Sequence, residues 1–211
     1  MLTIHHLGIS QSDRIVWLCE ELGVAYDLKH YDRDPQTRMA PAEYRALSPF
    51  GTAPVISDGE LTLSESGAIV EYIAHTYGGG RLFVEPGQNG YADFLFWWHF
   101  ANGSLMPSAM VDMVATALGG GNPIVASLCD RLNRAYDMTE TRLSTATWIA
   151  GGIFTAADIL TVFPFTTMRE FKPRELAPYP AIRAYLKRIA ERPAFQRAMA
   201  KADPGFSVPL E

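Results

Sequence analysis

The sequence predicts an α+β chain of two unlike parts: a mixed strand–helix part over residues 1–78 and an all-helical part over residues 91–211, joined by a linker at 79–90. Three observations carry this. Strand-type and helix-type patterns alternate up to Tyr77. Gly78-Gly79-Gly80, followed by Pro86-Gly87 and Gly90, then interrupts every periodic pattern. From Tyr91 onward only helical spacing remains.

In chain order, Leu2 to Leu7 reads as a strand. Ser12 to Leu22 is a helix with Ile15, Trp17, Leu18, Cys19 and Leu22 on its apolar face, capped by Ser12 and stopped by Gly23. Ala25 to Tyr31 is a second strand, and two strands joined through a helix imply a parallel βαβ unit. Pro41 to Leu47 is a short helix. Pro54-Val55-Ile56 and Leu61-Thr62-Leu63 are strand runs separated by Ser57-Asp58-Gly59-Glu60, a hairpin signal. A helix with Ala68, Ile69, Tyr72, Ile73 and Ala74 at its spacing follows Ser64, which reads as its N-cap. The order βαβ, α, ββ, α is the thioredoxin-like arrangement.

In the second part, Tyr91 to Leu118 is long and apolar, with Gly103 and Pro107 inside it. Pro107 lacks a backbone donor, so a kink or break is expected there. Gly119-Gly120-Gly121 stops that segment, and Pro123 to Leu143 is the next helix. Helices over Thr155 to Phe171, Pro180 to Glu191 and Pro193 to Ala200 complete the chain. Thr155-Ala156-Ala157-Asp158 spells a capping box, with Phe154 and Ile159 at staple positions. That makes Asp158 a structural residue, worth about 1–2 kcal/mol as a cap.

Composition excludes several functions. The 211 residues are 48% hydrophobic and 19% charged, enough for a sizeable core. A formal net charge of −5 argues against nucleic acid as the main partner. The two cysteines, Cys19 and Cys129, lie far apart and form no metal or redox motif, and Cys19 sits in an apolar stripe. No basic segment leads into an apolar run at the start, and no apolar run is long enough to span a bilayer. The expected compartment is the cytoplasm.

The chemistry concentrates in Ser64-Glu65-Ser66-Gly67-Ala68-Ile69 and in Gly51-Thr52-Ala53-Pro54-Val55-Ile56. Glu65 and Ser66 fall in the first turn of a helix, where free N–H groups and a partial positive charge favour a carboxylate. Glu65 suits an ammonium and Ser66 a carboxylate, so the pair fits a ligand end that carries both. The same residues also serve as ordinary caps. Proline before a central strand is unusual. A cis Ala53–Pro54 bond would turn the backbone groups of Ala53 outward, toward a peptide-like ligand.

Taken together the residues resemble the cytosolic glutathione S-transferases over nearly the whole chain. The resemblance rests on four motifs in order: Ser10-Gln11-Ser12-Asp13-Arg14-Ile15-Val16-Trp17-Leu18-Cys19-Glu20-Glu21-Leu22-Gly23, Ser48-Pro49-Phe50-Gly51-Thr52-Ala53-Pro54-Val55, Glu65-Ser66-Gly67-Ala68-Ile69, and the Thr155–Asp158 box. It looks closest to serine-type bacterial and fungal members. It implies a thioredoxin-like N-terminal domain, an all-helical C-terminal domain, a homodimer, and glutathione as cosubstrate with no metal.

What the resemblance implies for individual residues follows. A serine hydroxyl in the first strand-to-helix turn activates the glutathione thiol, with Ser10 the first choice and Ser12 the alternative. Thr52, Ala53 and Pro54 meet the cysteinyl part, and Glu65 and Ser66 hold the γ-glutamyl end. Several classes place a base against the glycyl carboxylate; here the aligned positions are Met39 and Ala40, and Arg38 is the nearest base. Arg14 anchors the first helix or the interface rather than touching ligand. A pocket for the electrophile is expected between the domains, lined by Ile9, Trp98, Phe100, Met106, Met110 and Met113. His99 receives no role. The expected activity is addition of glutathione to small hydrophobic electrophiles, with peroxidase activity possible. The alternatives are a glutathione-binding carrier or scaffold, an isomerase, a dehalogenase, or a disulfide reductase, the last disfavoured by the absence of cysteine from the turn at Ser10 to Asp13.

Overall fold

The structure, a computed structural model, describes residues 1–117 and 122–210. The expected stop at Gly119-Gly120-Gly121 lies outside the described residues. The chain forms two compact units: Met1–Arg81 with Ala190–Val208, and Leu82–Ile189 with Pro209–Glu211.

The first unit is built on four strands, β1 (Leu2–Leu7), β2 (Asp27–Tyr31), β3 (Val55–Asp58) and β4 (Leu61–Ser64), in the order β2-β1-β3-β4. β1 and β2 run parallel, joined through helix α1 (Asp13–Leu22), as the βαβ pattern implied. β3 lies antiparallel to both β1 and β4, and the hairpin turns at Gly59 with φ 59°. Alternation along β1 sends Ile4 and His6 to one face and His5 and Leu7 to the other. The first face, with Ile56, carries α1 and α3 (Ser66–Thr76), whose Ile15, Leu18, Ile69 and Ile73 are buried. The second face packs Leu7, Tyr31 and Val55 against Tyr44 of the short helix α2 (Ala42–Arg45).

α1 ends at Gly23, whose φ of 66° is left-handed and whose N–H returns to the Cys19 carbonyl. Ser12 occupies the N-cap position of α1, but its hydroxyl makes no cap hydrogen bond. The expected cap at Ser64 is also corrected. Ser64 is the last residue of β4, and the N-cap of α3 is Glu65 with φ 76° and ψ 115°. β4 runs one residue further than the apolar pattern suggested, through Ser64, so the chain must turn sharply at Glu65 to begin the helix.

α9 (Pro193–Ala202) completes the first unit by lying along α1. The Trp17 and Phe195 rings meet edge to face with centroids 4.9 Å apart. Arg192 Nε and Nη2 donate to Glu21 Oε1 and Oε2 at 2.6 and 2.7 Å, and the Trp17 indole N–H donates to Glu21 Oε1 at 2.9 Å. Glu20 receives Arg197 at 2.9 Å and Lys201 at 2.5 Å.

The second unit is helical. Its α4 (Tyr91–Phe100) passes through a π-type turn at Ala101–Leu105 into α5 (Met106–Ala117). This turn is the form that the expected break at Pro107 takes. The Met106 N–H reaches back five residues to the Ala101 carbonyl, and the widened turn admits a proline ring in a continuous helix. α6 (Pro123–Leu143) starts as expected, with the Asn122 side chain accepting from the Ile124 N–H. The helix expected to reach Phe171 stops early: α7 spans Ala156–Val162, and tighter 3₁₀ turns at Phe163–Phe165 and Thr167–Glu170 follow, because Pro164 cannot continue the α-helical ladder. In α8 (Pro180–Ala190), the free N–H groups of Ala181 and Ile182 donate to the Glu140 carboxylate at 2.8 and 2.9 Å.

The capping box at Thr155 and Asp158 is present, and it is part of a larger cluster. Asp158 Oδ2 accepts from the Thr155 N–H at 2.8 Å and hydroxyl at 3.2 Å, while Oδ1 accepts from the Ile149 N–H at 2.8 Å and the Tyr185 hydroxyl at 3.0 Å. Burial pushes its carboxyl up to about 6, against the pull of these four donors. Removing the carboxylate strands two buried backbone N–H groups at once. In urea melts followed by fluorescence, Asp158→Ala should therefore cost about 3–5 kcal/mol against about 1–2 kcal/mol for Thr155→Ala, and equal losses would mean that the box alone matters.

Candidate functional site

Strand register places the candidate residues at one end of the sheet. β1 runs antiparallel to β3 with His5 beside Val55, and Val55 lies beside Ser64 of β4. The segment leaving β1 (Gly8-Ile9-Ser10), the one entering β3 (Thr52-Ala53-Pro54) and the one leaving β4 (Glu65-Ser66) therefore emerge at the same edge. The N-termini of α1 and α3 start there too, so their exposed donors and positive dipole ends converge on that edge.

The turn before α1 holds a chain of polar groups. Ser10 is 5% exposed and Ser12 fully enclosed. Ser10 Oγ lies 2.7 Å from Ser12 Oγ and accepts the Ser12 N–H at 3.2 Å. Ser12 Oγ accepts the Leu7 N–H at 3.2 Å and lies 2.9 Å from Nδ1 of His6, which is itself wholly buried. On the far side of that ring, His6 Nε2 stands 3.2 Å from Asp203 Oδ1, at ion-pair distance but out of line for a well-formed hydrogen bond. Asp203 is the C-cap residue of α9. Burial works against its charge, but His6 and the Ile9 N–H, which donates to Oδ1 at 2.8 Å, hold its carboxyl below the usual range.

The same turn is strained. Ile9 has φ 48°, a conformation that a β-branched residue rarely adopts. Asp203 grips its N–H, while Arg33 Nη2 donates to its carbonyl at 3.1 Å and Arg33 Nε donates to the Gly8 carbonyl at 2.7 Å. Glu65, with φ 76°, is the second strained residue at this edge. Strain of this kind persists only where the surroundings over-determine it, and it gathers at sites of function.

Ala53–Pro54 is cis, with Pro54 buried and Thr52 exposed. Glu65 is exposed and Ser66 buried as the first residue of α3. Arg38 is exposed with φ 60°, and its carbonyl accepts from Arg33 Nη1 at 2.8 Å. Met39 is exposed, and Ala40 packs against the core around Tyr44. Arg14 is buried in α1, where desolvation lowers its guanidinium to about 10 against the opposing charge of Asp13. Cys19 is buried, and its thiol is pushed up to about 12 by burial and Glu20. Among the described residues no group of His, Cys, Asp and Glu is arranged to hold a metal ion, and no helix is long and apolar enough to cross a membrane.

The residues expected to line an electrophile pocket divide between the units. Ile9 belongs to the first and Met106, Met110 and Met113 to the second. Met106, Trp98 and Phe100 are buried, with Trp98 packed on Phe83 and Phe94, whereas Met110 is exposed and Met113 half-buried. His99 is exposed. The sequence reading missed Arg33, His6 and Asp203. His6 carried one signal, a titratable side chain on the apolar face of a central strand; Asp203 carried none, because 194 residues separate it from its partner Ile9.

Residues 10–76 match the family described as "Glutathione S-transferase, N-terminal domain", and residues 107–193 match "Glutathione S-transferase, C-terminal domain". The chain is 32% identical to Glutathione S-transferase 3 of Schizosaccharomyces pombe, the match covering 96% of this chain and 88% of that protein. It is 31% identical to a glutathione S-transferase of Actinobacillus pleuropneumoniae of known crystal structure, with a TM-score of 0.88 over 98% of this chain and 97% of the other. A glutathione transferase family member from Pseudomonas fluorescens, solved with two glutathione bound, shares the fold at 21% identity and a TM-score of 0.78, over 94% of this chain and 92% of that one. Two family domains in order and a relative matched along almost its full length lead to one assignment: this chain belongs to the glutathione S-transferase family.

Proposed function

We propose that the chain is a serine-type glutathione transferase in which the Ser10 hydroxyl stabilises the thiolate of glutathione bound at the shared edge of the sheet. The observation that carries this reading is the pair of serines. Ser12 Oγ is enclosed and surrounded by Leu7, His6 and Ser10, whereas Ser10 sits one step nearer the surface at the N-terminus of α1. A free thiol has a pKa of about 8.5, and lowering it by about 2 units takes about 2.7 kcal/mol of preferential thiolate stabilisation. A hydroxyl donor at a helix N-terminus supplies much of this. Ser10 is not a nucleophile here; the glutathione sulfur attacks the electrophile.

In the same reading Glu65 pairs with the γ-glutamyl ammonium, and Ser66 with the first-turn N–H groups of α3 takes its carboxylate. The Thr52-Ala53-Pro54 segment meets the cysteinyl part, and Arg38 takes the glycyl carboxylate. In sequence the glutathione-binding segment is 1–78, followed by a linker at 79–90 and a helical segment at 91–211, of which α9 packs into the first unit. Met110 and Met113 on α5 offer adaptable apolar side chains to an electrophile. Leu95 and Phe96 on α4 with Val111 and Val114 on α5 are exposed apolar residues that a second copy of the chain would cover, and the enzyme works as a cytoplasmic homodimer. A disulfide reductase is disfavoured by the buried, high-pKa Cys19 and by serine in the first turn.

Three measurements test this. Ser10→Ala should raise the apparent pKa of bound glutathione, followed by thiolate absorbance, by about 1–2 units and lower kcat about 10- to 100-fold, with Ser10→Thr keeping most of the activity. An unchanged thiol in Ser10→Ala and a raised one in Ser12→Ala would pass the role to Ser12. Ser66→Ala should raise the glutathione KM about tenfold with less than about 1 kcal/mol lost from stability, whereas a matching loss of both would reduce Glu65 and Ser66 to capping. Sedimentation should give twice the chain mass, and Phe96→Asp should return it to one; a monomeric parent overturns the dimer.

A further inference from the structure

The geometry points to a proton wire, in which Ser10, Ser12 and His6 carry the thiol proton of bound glutathione inward to a buried His6–Asp203 pair. The inference rests on the Ser10 reading above and assigns His6 and Asp203, as positioning residues, to the step that forms the thiolate.

The contacts fix the spacing of the chain, and the charge of Asp203 sets the direction of each hydrogen bond in the proposed wire. Ser10 Oγ, Ser12 Oγ and His6 Nδ1 are spaced at 2.7 and 2.9 Å, and Asp203 Oδ1 lies 3.2 Å beyond His6 Nε2. An ionised Asp203 places the ring proton of neutral His6 on Nε2, which leaves Nδ1 as an acceptor. Ser12 then donates to His6 at 2.9 Å rather than to the Leu7 carbonyl at 3.4 Å, Ser10 donates to Ser12, and Ser10 Oγ is left to accept the S–H of glutathione. In this polarity no hydroxyl proton is available to stabilise a thiolate. Moving one proton along the chain reverses it. The S–H bond breaks and the sulfur keeps the electron pair; Ser10 takes that proton and passes its own to Ser12, and Ser12 passes its own to His6 Nδ1. The result is a thiolate receiving a hydrogen bond from Ser10, and an imidazolium facing Asp203. After product leaves, the proton returns through Ser12 and Ser10 to water, which resets the chain.

The groups that face His6 come from α9, α1 and β2. Asp203 faces it from the end of α9, and Ser12 from the start of α1. His30 on β2 meets its ring edge-on at a centroid distance of 5.5 Å. Arg33 interacts with Asp203 and donates to the carbonyls of Gly8, Ile9 and Arg38. Asp203 also restrains the strained Ile9, so a test must separate the wire from a brace for the turn.

A proton count makes that separation. Glutathione alone is added to the wild-type protein in two weak buffers of different ionisation enthalpy at pH 6.5, and thiolate absorbance is recorded beside calorimetry. The wire predicts that fewer protons reach the buffer than thiolates form. Asp203→Asn and His6→Asn should bring the two counts together and raise the bound-thiol pKa by about 1 unit with glutathione affinity changed less than about threefold. Adding Ser10→Ala to Asp203→Asn should shift the thiol no further than Ser10→Ala alone, since both act on one chain. One proton released for each thiolate in the wild type overturns the wire, whatever the variants do; if Ser10→Ala still raises the thiol pKa, the hydroxyl reading stands without it. An unchanged thiol in Ser10→Ala overturns both.

Discussion

The docking of α9 against α1 is the constraint on which the rest of the first unit depends. The bidentate Arg192–Glu21 pair and the Trp17–Phe195 contact fix one helix along the other, and the length of α9 then sets where Asp203 falls. Neither contact touches the candidate site. Their effect is positional: they bring a carboxylate from the far end of the sequence to the first turn of the fold. A partly buried bidentate pair suits this use, because its planar geometry fixes orientation as well as distance.

Around that anchor the site follows a common rule of sheet proteins, in which ligands meet the chain where strands end and helices begin. Two strained residues, Ile9 and Glu65, mark the edge. Ile9 is held by Asp203 and Arg33 from either side, so its conformation is imposed by side chains from α9 and from the segment after β2. Glu65 is turned by the extra length of the β3–β4 pairing. In both cases the backbone is set by neighbours, which keeps the polar groups of the site in place before any ligand arrives.

Much of this was legible in the sequence. The alternation of strand and helix patterns, Asp-Gly in the hairpin, Gly23 after α1 and the Thr155–Asp158 box are local signals, and each appears in the structure close to where it was read. The cis Ala53–Pro54 bond was also expected, from a proline that a strand ladder would not accept. The errors are equally physical. Ser12 and Ser64 have the chemistry of caps, but Ser12 turns its hydroxyl back to Leu7 and His6, and strand pairing claims Ser64. Pro164 shortened a helix whose apolar spacing continued past it. The His6–Asp203 contact had no local signal at all, since its partners belong to opposite ends of the chain and only α9 packing joins them.

The first unit is discontinuous in sequence, drawing on Met1–Arg81 and then on Ala190–Val208. During synthesis the strands and α1 are made first, yet the helix that covers α1 and delivers Asp203 is made last. All of Leu82–Ile189 leaves the ribosome before that helix does, so the helical unit has its full complement of elements while the sheet unit still lacks one. Domains that fold as units during translation ordinarily mature from the N-terminus. Here the order is inverted: the Trp17 ring waits without its α9 partner Phe195, and His6 without Asp203, through most of the chain's manufacture. A nascent chain stalled before Ala190 would carry the serines of the first turn without the carboxylate behind them.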